Sequence, residues 1–463
     1  MTMQNLLRTL FDAINGKEKN FTTGSINRAI LMLSIPMVLE MAMESLFALV
    51  DVFYVSQLDP NAIATVGLTE SVITLVYAVA IGMSTAPMAM IARYIGEGDH
   101  SAASKVVMQA IYLATCFAVL IGIPGYLYAD RILAMMGGDD TLIASGVGYT
   151  QIMFASNIFI MLLFLLNGIF RGAGDAHLAM RALWLANGIN IILDPLFIFG
   201  WGPIPAMGVQ GAAVATTIGR GLGVAFQLYL LLSGASVVRL YFRQLGIQWD
   251  IITRLLKIAM NGAFQFLIAS ASWIVLMRIV SRFGSEAVAG YTIAIRLIIF
   301  TLLPSWGIAN AAATLVGQNL GAGRPDRAAT SVWRAAFFSM VFLASVSIVY
   351  YLAAKPIIYF FTEDPAVIEA GIESLRIFAI SYALFAYGMV IGQAFNGAGD
   401  TRTPMIINLI CFWAVEIPLA NFLAISIGWE LAGVCWAIAV SESLMTLLSI
   451  LIFRRGNWKT VEI

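Results

Sequence analysis

Charge is scarce in this sequence. Of 463 residues only 11% are Asp, Glu, Lys or Arg, while 60% are hydrophobic; soluble proteins carry roughly 25% charge. That balance excludes a water-soluble enzyme. An excess of one sign is also missing, since 26 Lys and Arg meet 26 Asp and Glu. No basic field draws in a nucleic-acid backbone, and no nucleic-acid partner is expected. The three cysteines, Cys116, Cys411 and Cys435, sit in apolar runs, and the two histidines, His100 and His177, sit in polar connections. Neither a disulfide framework nor a metal-ligand cluster can be assembled from them. A phosphate-binding loop is absent too: the Gly16-Lys17 pair lacks the upstream glycine. There is no nucleophile elbow. The expectation is a protein that is not an enzyme and holds no cofactor.

Long apolar runs are what the chain has in abundance. A bilayer core of about 30 Å takes roughly 20 apolar residues per helical crossing, because lipid offers backbone groups no hydrogen-bond partner. Twelve such spans are predicted: 29–56, 66–94, 103–128, 144–170, 177–199, 208–232, 250–281, 287–318, 330–353, 370–397, 403–425 and 430–453. The expected fold is all-α and polytopic, with twelve transmembrane helices in two pseudo-symmetric six-helix lobes. Residues 1–28 form a cytoplasmic leader, 29–233 the amino-terminal lobe, 234–249 a cytoplasmic linker, 250–453 the carboxyl-terminal lobe and 454–463 a cytoplasmic tail. The leader, with Arg8, Lys17, Lys19 and Arg28, lacks the pattern of a removable signal peptide. On this map 19 of the 26 Lys and Arg fall on the amino-terminal side. The positive-inside rule then puts both termini in the cytoplasm.

An internal repeat supports the two lobes. Val55-Ser56, Ala62 and Ala64 recur at Val280-Ser281, Ala287 and Ala289, with one constant offset in residue number (280 − 55 = 225). The same offset relates Gly96, Gly98, Ala103 and Ala110 to Gly321, Gly323, Ala328 and Ala335, and Gly172-Ala-Gly-Asp175 to Gly397-Ala-Gly-Asp400. Six spans per copy give both halves one orientation, an arrangement of transporters.

Ionisable residues inside spans cost about 3 kcal/mol each on insertion scales, so they mark wet cavities and pathways. Glu40, Glu44, Asp51, Glu70 and Asp194 lie within spans of the first half, where the repeat offset places Gln265, Ala269, Leu276 and Ile295 opposite the first four. Shared packing duties therefore do not account for them. Glu40, Glu44 and Asp51 fall within about 40° of one another on a helical wheel, a face expected to line a cavity. Asn190 and Asp194 share a face of the fifth span, and Pro195 frees a carbonyl there. Asp51, Glu70 and Asp194 are expected at one level of the outer half, where Thr216 could join them around a small cation or a shared proton. Structural alternatives stand beside these: Glu70 as an interfacial residue, Asp194 as the cap of a kink, Glu40 and Glu44 as partners of intramembrane arginines. Arg278, Arg296, Glu416 and Glu442 are expected to form structural ion pairs.

In order and spacing the residues resemble the multidrug and toxic compound extrusion (MATE) family. The resemblance rests on Pro36 and Asp51 in the first span, Ile63-Ala-Thr-Val-Gly67, Gly172-Ala-Gly-Asp175, Asn190-Ile-Ile-Leu-Asp194-Pro195, Gly211-Ala-Ala-Val-Ala-Thr216, Gly317-Gln-Asn-Leu-Gly321 and Gly397-Ala-Gly-Asp400-Thr401. It implies a secondary antiporter of a bacterial inner membrane, monomeric, exporting small amphipathic cationic solutes in exchange for protons or sodium. It implies a cation site of Asp51, Asn190, Asp194 and Thr216, the sole place for a metal ion, and a first helix that bends at Pro36. The stretches Phe264-Gln-Phe-Leu-Ile-Ala-Ser270 and Leu384-Phe-Ala-Tyr-Gly388 lack the acidic residues of the branch that couples in the carboxyl-terminal lobe. Glu40 and Glu44 depart from the general pattern and, with Glu70, are candidates for the solute cleft. The competing readings are a lipid-linked oligosaccharide flippase, which needs a cationic cleft, and a passive channel.

Overall fold

A computed structural model describes residues 3–18, 20–58, 60–240 and 246–463; Lys19 of the expected leader and residues 241–245 of the expected linker lie outside them. The described residues are all-α, with helices α1 (Met3–Ile14), α2 (Ile26–Val55), α3 (Pro60–Glu97), α4 (His100–Leu127), α5 (Ala129–Met135), α6 (Asp140–Ala155), α7 (Asn157–Ala173), α8 (Ala176–Phe199) and α9 (Val209–Ser233) in the first half. The second half has α10 (Trp249–Val280), α11 (Ser285–Gly321), α12 (Pro325–Leu352), α13 (Ala354–Tyr359), α14 (Pro365–Ala398), α15 (Arg402–Asn408), α16 (Ile417–Asn421) and α17 (Glu430–Arg455). Among the described residues, twelve candidate spans are long and apolar enough to cross a membrane. The protein is thus a multi-pass membrane protein.

Two spans depart from single predicted helices. The fourth, expected at 144–170, breaks at Ser156 into α6 and α7. There the Asn157 amide donates to the carbonyls of Phe154 (2.8 Å) and Ala118 (3.1 Å), supplying partners at the break. The eleventh, expected at 403–425, runs through wide π-type turns at Leu409–Glu416 and Phe422–Ser426 on either side of α16, close to Pro418. Proline removes one helical hydrogen bond, and π-turns are a usual accommodation. The expected leader is not featureless: α1 docks where Arg181 donates to the Ile14 carbonyl and the Asn15 side chain, each at 3.2 Å.

The repeat is visible in the backbone. Gly174 and Gly399 end α7 and α14 with φ of +86° and +87°, a left-handed turn that glycine adopts without strain. Gly172 abuts Met88, and Gly397 abuts Ala313; a Cβ at either glycine would overlap that backbone. The short helices α5 and α13 begin at Ala129 and Ala354, which the repeat offset also relates.

The compact units do not follow the expected lobe boundaries. Unit 1 comprises Met1–Asn20 and Leu39–Ala263, and unit 2 comprises Phe21–Val38 and Phe264–Ile463. Helices α2 and α10 each divide between the units, after Val38 and after Ala263, two positions that the repeat offset again relates. The packing reason is symmetrical as well. In unit 1, Gly82 of α3 lies against Ala259 and Ala263; in unit 2, Gly307 of α11 lies against Met37 and Val38. A helix crosses at backbone contact only where no side chain intervenes.

Candidate functional site

Unit 1 gathers polar side chains from four spans. Helix α8 presents Asn187, Asn190 and Asp194 at i, i+3 and i+7 on one face, all buried, and α9 adds the buried Thr216 and Arg220. The Asn190 amide donates to Thr216 Oγ1 at 3.1 Å and, more weakly, to Asp194 Oδ1 at 3.4 Å. Asp194 is 0% exposed. Its Oδ2 and the Asn190 Oδ1 are buried with no hydrogen-bond partner. Unsatisfied buried oxygens carry a desolvation cost that a proton or small cation would relieve. Pro195 sits within α8 without ending it, so the helix continues past a missing backbone hydrogen bond.

Three of the four residues of the implied cation site, Asn190, Asp194 and Thr216, are therefore joined directly. Asp51, half-buried on α2, makes no hydrogen bond or ion pair among the described residues, and feels the charges of Asp194, Glu70 and Arg220. Asp51 lies four residues before the end of α2 and Asp194 five before the end of α8. Glu70 lies in the third turn of α3, well inside the helix, because α3 begins at Pro60, earlier than the apolar pattern does.

The other carboxylates separate. Glu40, 0% exposed, accepts from Asn167 Nδ2 at 3.0 Å and from the Arg171 guanidinium through both Nη2 and Nε. Asn167 in turn accepts from Gln227 Nε2 at 2.6 Å. Glu40 thus closes a buried network across α2, α7 and α9. The inference that packing duties could not explain it needs correcting. The repeat-related residues Gln265 and Asn396 form a two-way amide pair, with Nε2 donating to Oδ1 at 3.1 Å and Nδ2 to Oε1 at 3.3 Å. The two copies do the same job with an ion pair and an amide pair. Glu44 is only half-buried and accepts from Asn187 Nδ2 at 2.9 Å.

A second correction concerns the expected ion pairs. Arg278 and Arg296 are exposed on unit 2, Glu416 is buried, and no ion pair joins these or Glu442 among the described residues.

Sequence reasoning passed over Arg220 as a site residue. It donates from Nη2 to the Tyr77 hydroxyl at 2.8 Å, and its guanidinium lies 5.6 Å and 5.8 Å from the ring centres of Tyr77 and Phe47. Its spacing of four residues from Thr216 was the available signal.

The MatE family pattern matches residues 36–196 and 263–422. The chain belongs to the MatE family. Its relatives include the "Probable multidrug resistance protein NorM" of Thermotoga maritima, 26% identical over 434 residues, covering 94% of this chain and 93% of that one. The "FAD transporter" of Shewanella oneidensis is 26% identical over 423 residues, covering 91% and 92%. Among solved structures, a crystal structure of MATE in the straight conformation superposes with a TM-score of 0.89 at 26% identity, covering 95% of this chain and 98% of that one. The protein is a MATE transporter, a membrane transport protein, and the family is one of small-molecule carriers, not enzymes.

Proposed function

We propose that the protein is a secondary antiporter that exports amphipathic cationic solutes in exchange for protons or sodium. The observation that carries the reading is the pair of buried, unpartnered oxygens on Asp194 and Asn190. With Thr216 Oγ1 and the Asp51 carboxylate they make an oxygen-rich site for one proton or one small cation. A ligand shifts a conformational balance only through differential affinity for its states, and a site that is under-satisfied when empty has that property. Pro36 and Pro195 are the points where α2 and α8 lack a backbone hydrogen bond and can change bend. Glu44 and Glu70, half-buried and acidic, suit the approach of a cationic solute; Glu40 braces the helices instead. The membrane is a bacterial inner membrane, both termini face the cytoplasm, and the protein acts as a monomer.

The test is efflux of a small cationic dye from vesicles holding the purified protein, under separately imposed sodium and pH gradients. The wild type transports under one or both gradients. Asp51→Asn and Asp194→Asn each reduce ion-driven efflux at least a hundredfold with normal insertion. Full efflux by both variants overturns the assignment of the site.

A further inference from the structure

Arg220 sits close to the middle of the 25-residue helix α9, which runs from Val209 to Ser233, and is 6% exposed. Arginine stays charged under all ordinary conditions and carries five N–H donors. A permanent charge at that depth is costly unless opposite charge is near. Yet it forms no ion pair among the described residues. Nη2 is held by the Tyr77 hydroxyl, the cation rests near the Tyr77 and Phe47 rings, and Nη1 is buried with no partner. The titratable and charged groups that face it are Glu44 and Asp51 from α2, Glu70 and Tyr77 from α3, and Tyr149 from α6. Thr216, one turn away on the same face, already belongs to the Asn190–Asp194 cluster.

The guanidinium is therefore parked on the Tyr77 phenol and the Phe47 ring, with Nη1 unpartnered, and it feels the charge of three carboxylates with which it forms no ion pair. We propose that Arg220 is a tethered competitor of the coupling ion: from its hold on Tyr77 the guanidinium can swing to the Asp51 carboxylate of the coupling site and displace the ion there. The group that displaces the ion is thus built into the site. The inference rests on the coupling reading above. It adds that affinity for the ion is held down by an internal cation, with Tyr77 as the positioning residue that holds that cation away.

Two variants move the ion dependence in opposite directions. Arg220→Gln removes the competitor, so the sodium or proton concentration giving half-maximal dye efflux falls about tenfold, the effect of losing one opposite charge beside a carboxylate. Tyr77→Phe keeps the charge and the ring but releases Nη2, so the half-maximal concentration rises about threefold. Tyr77→Phe is nearly isosteric and folds even where Arg220→Gln does not. A purely structural role for Arg220 lowers maximal efflux without moving the half-maximal concentration. An unmoved half-maximal concentration in Tyr77→Phe, or the same direction of change in both variants, overturns the competitor role while leaving the coupling site standing. A wild type that responds to neither gradient overturns both.

Discussion

Units 1 and 2 share a backbone plan and differ in what they bury. Gly172 against Met88 is repeated by Gly397 against Ala313, and Gly82 against Ala263 by Gly307 against Val38, every residue related by the same offset. At those positions geometry leaves room for one solution, so both copies hold it. Side-chain chemistry is freer. Glu40 with Arg171 in unit 1 becomes Gln265 with Asn396 in unit 2. Counting nine residues on from Gly211 and from Gly433, each pressed on the preceding span's backbone, one meets Arg220 in unit 1 and Glu442 in unit 2. Packing glycines record the shared ancestry of the halves, and the polar residues record their division of labour.

The comparison can be broken first at the buried pair. Glu40→Gln strands the Arg171 charge and destabilises the protein by about 3 kcal/mol, as broken buried pairs do. Glu40→Gln with Arg171→Asn copies the unit 2 pair and recovers most of that loss; thermal unfolding in detergent reads both. Gln265→Ala, which removes only neutral hydrogen bonds, costs about 1 kcal/mol. If the double variant is no more stable than the single, the two pairs are not equivalent.

A smaller and symmetrical effect is expected at the crossing glycines. Gly82→Leu and Gly307→Leu each force a side chain against backbone, costing about 1–3 kcal/mol, and the two losses match within about 1 kcal/mol because the crossings match. A large loss in one and none in the other would show that the repeat does not extend to packing.

Much of this was legible in the chain. Twelve apolar runs imply twelve helices because lipid leaves the backbone no other solution, and the repeat offset was readable from small residues alone. The face shared by Asn190 and Asp194 followed from helical spacing. Glu40 was misread because its explanation lay in Arg171, three spans further along the chain and beyond the reach of local spacing, and in the amide pair that replaces both in the other copy. The break at Ser156 is served by the Asn157 hydrogen bond to Ala118, and the wide turns after Asn408 flank Pro418; hydropathy encodes neither. Arg220 escaped notice as a site residue because its partners on α2 and α3 are set by packing between helices distant in sequence.

The central claim is that the ion that drives transport binds in unit 1 although both units bury carboxylates. The most direct measurement is the ion dependence of dye efflux in Asp194→Asn beside that in Glu442→Gln, in vesicles under imposed sodium and pH gradients. The account predicts that Asp194→Asn loses ion-driven efflux, whereas Glu442→Gln keeps the wild-type half-maximal ion concentration within about twofold. Loss of ion dependence in Glu442→Gln with retention in Asp194→Asn would contradict it.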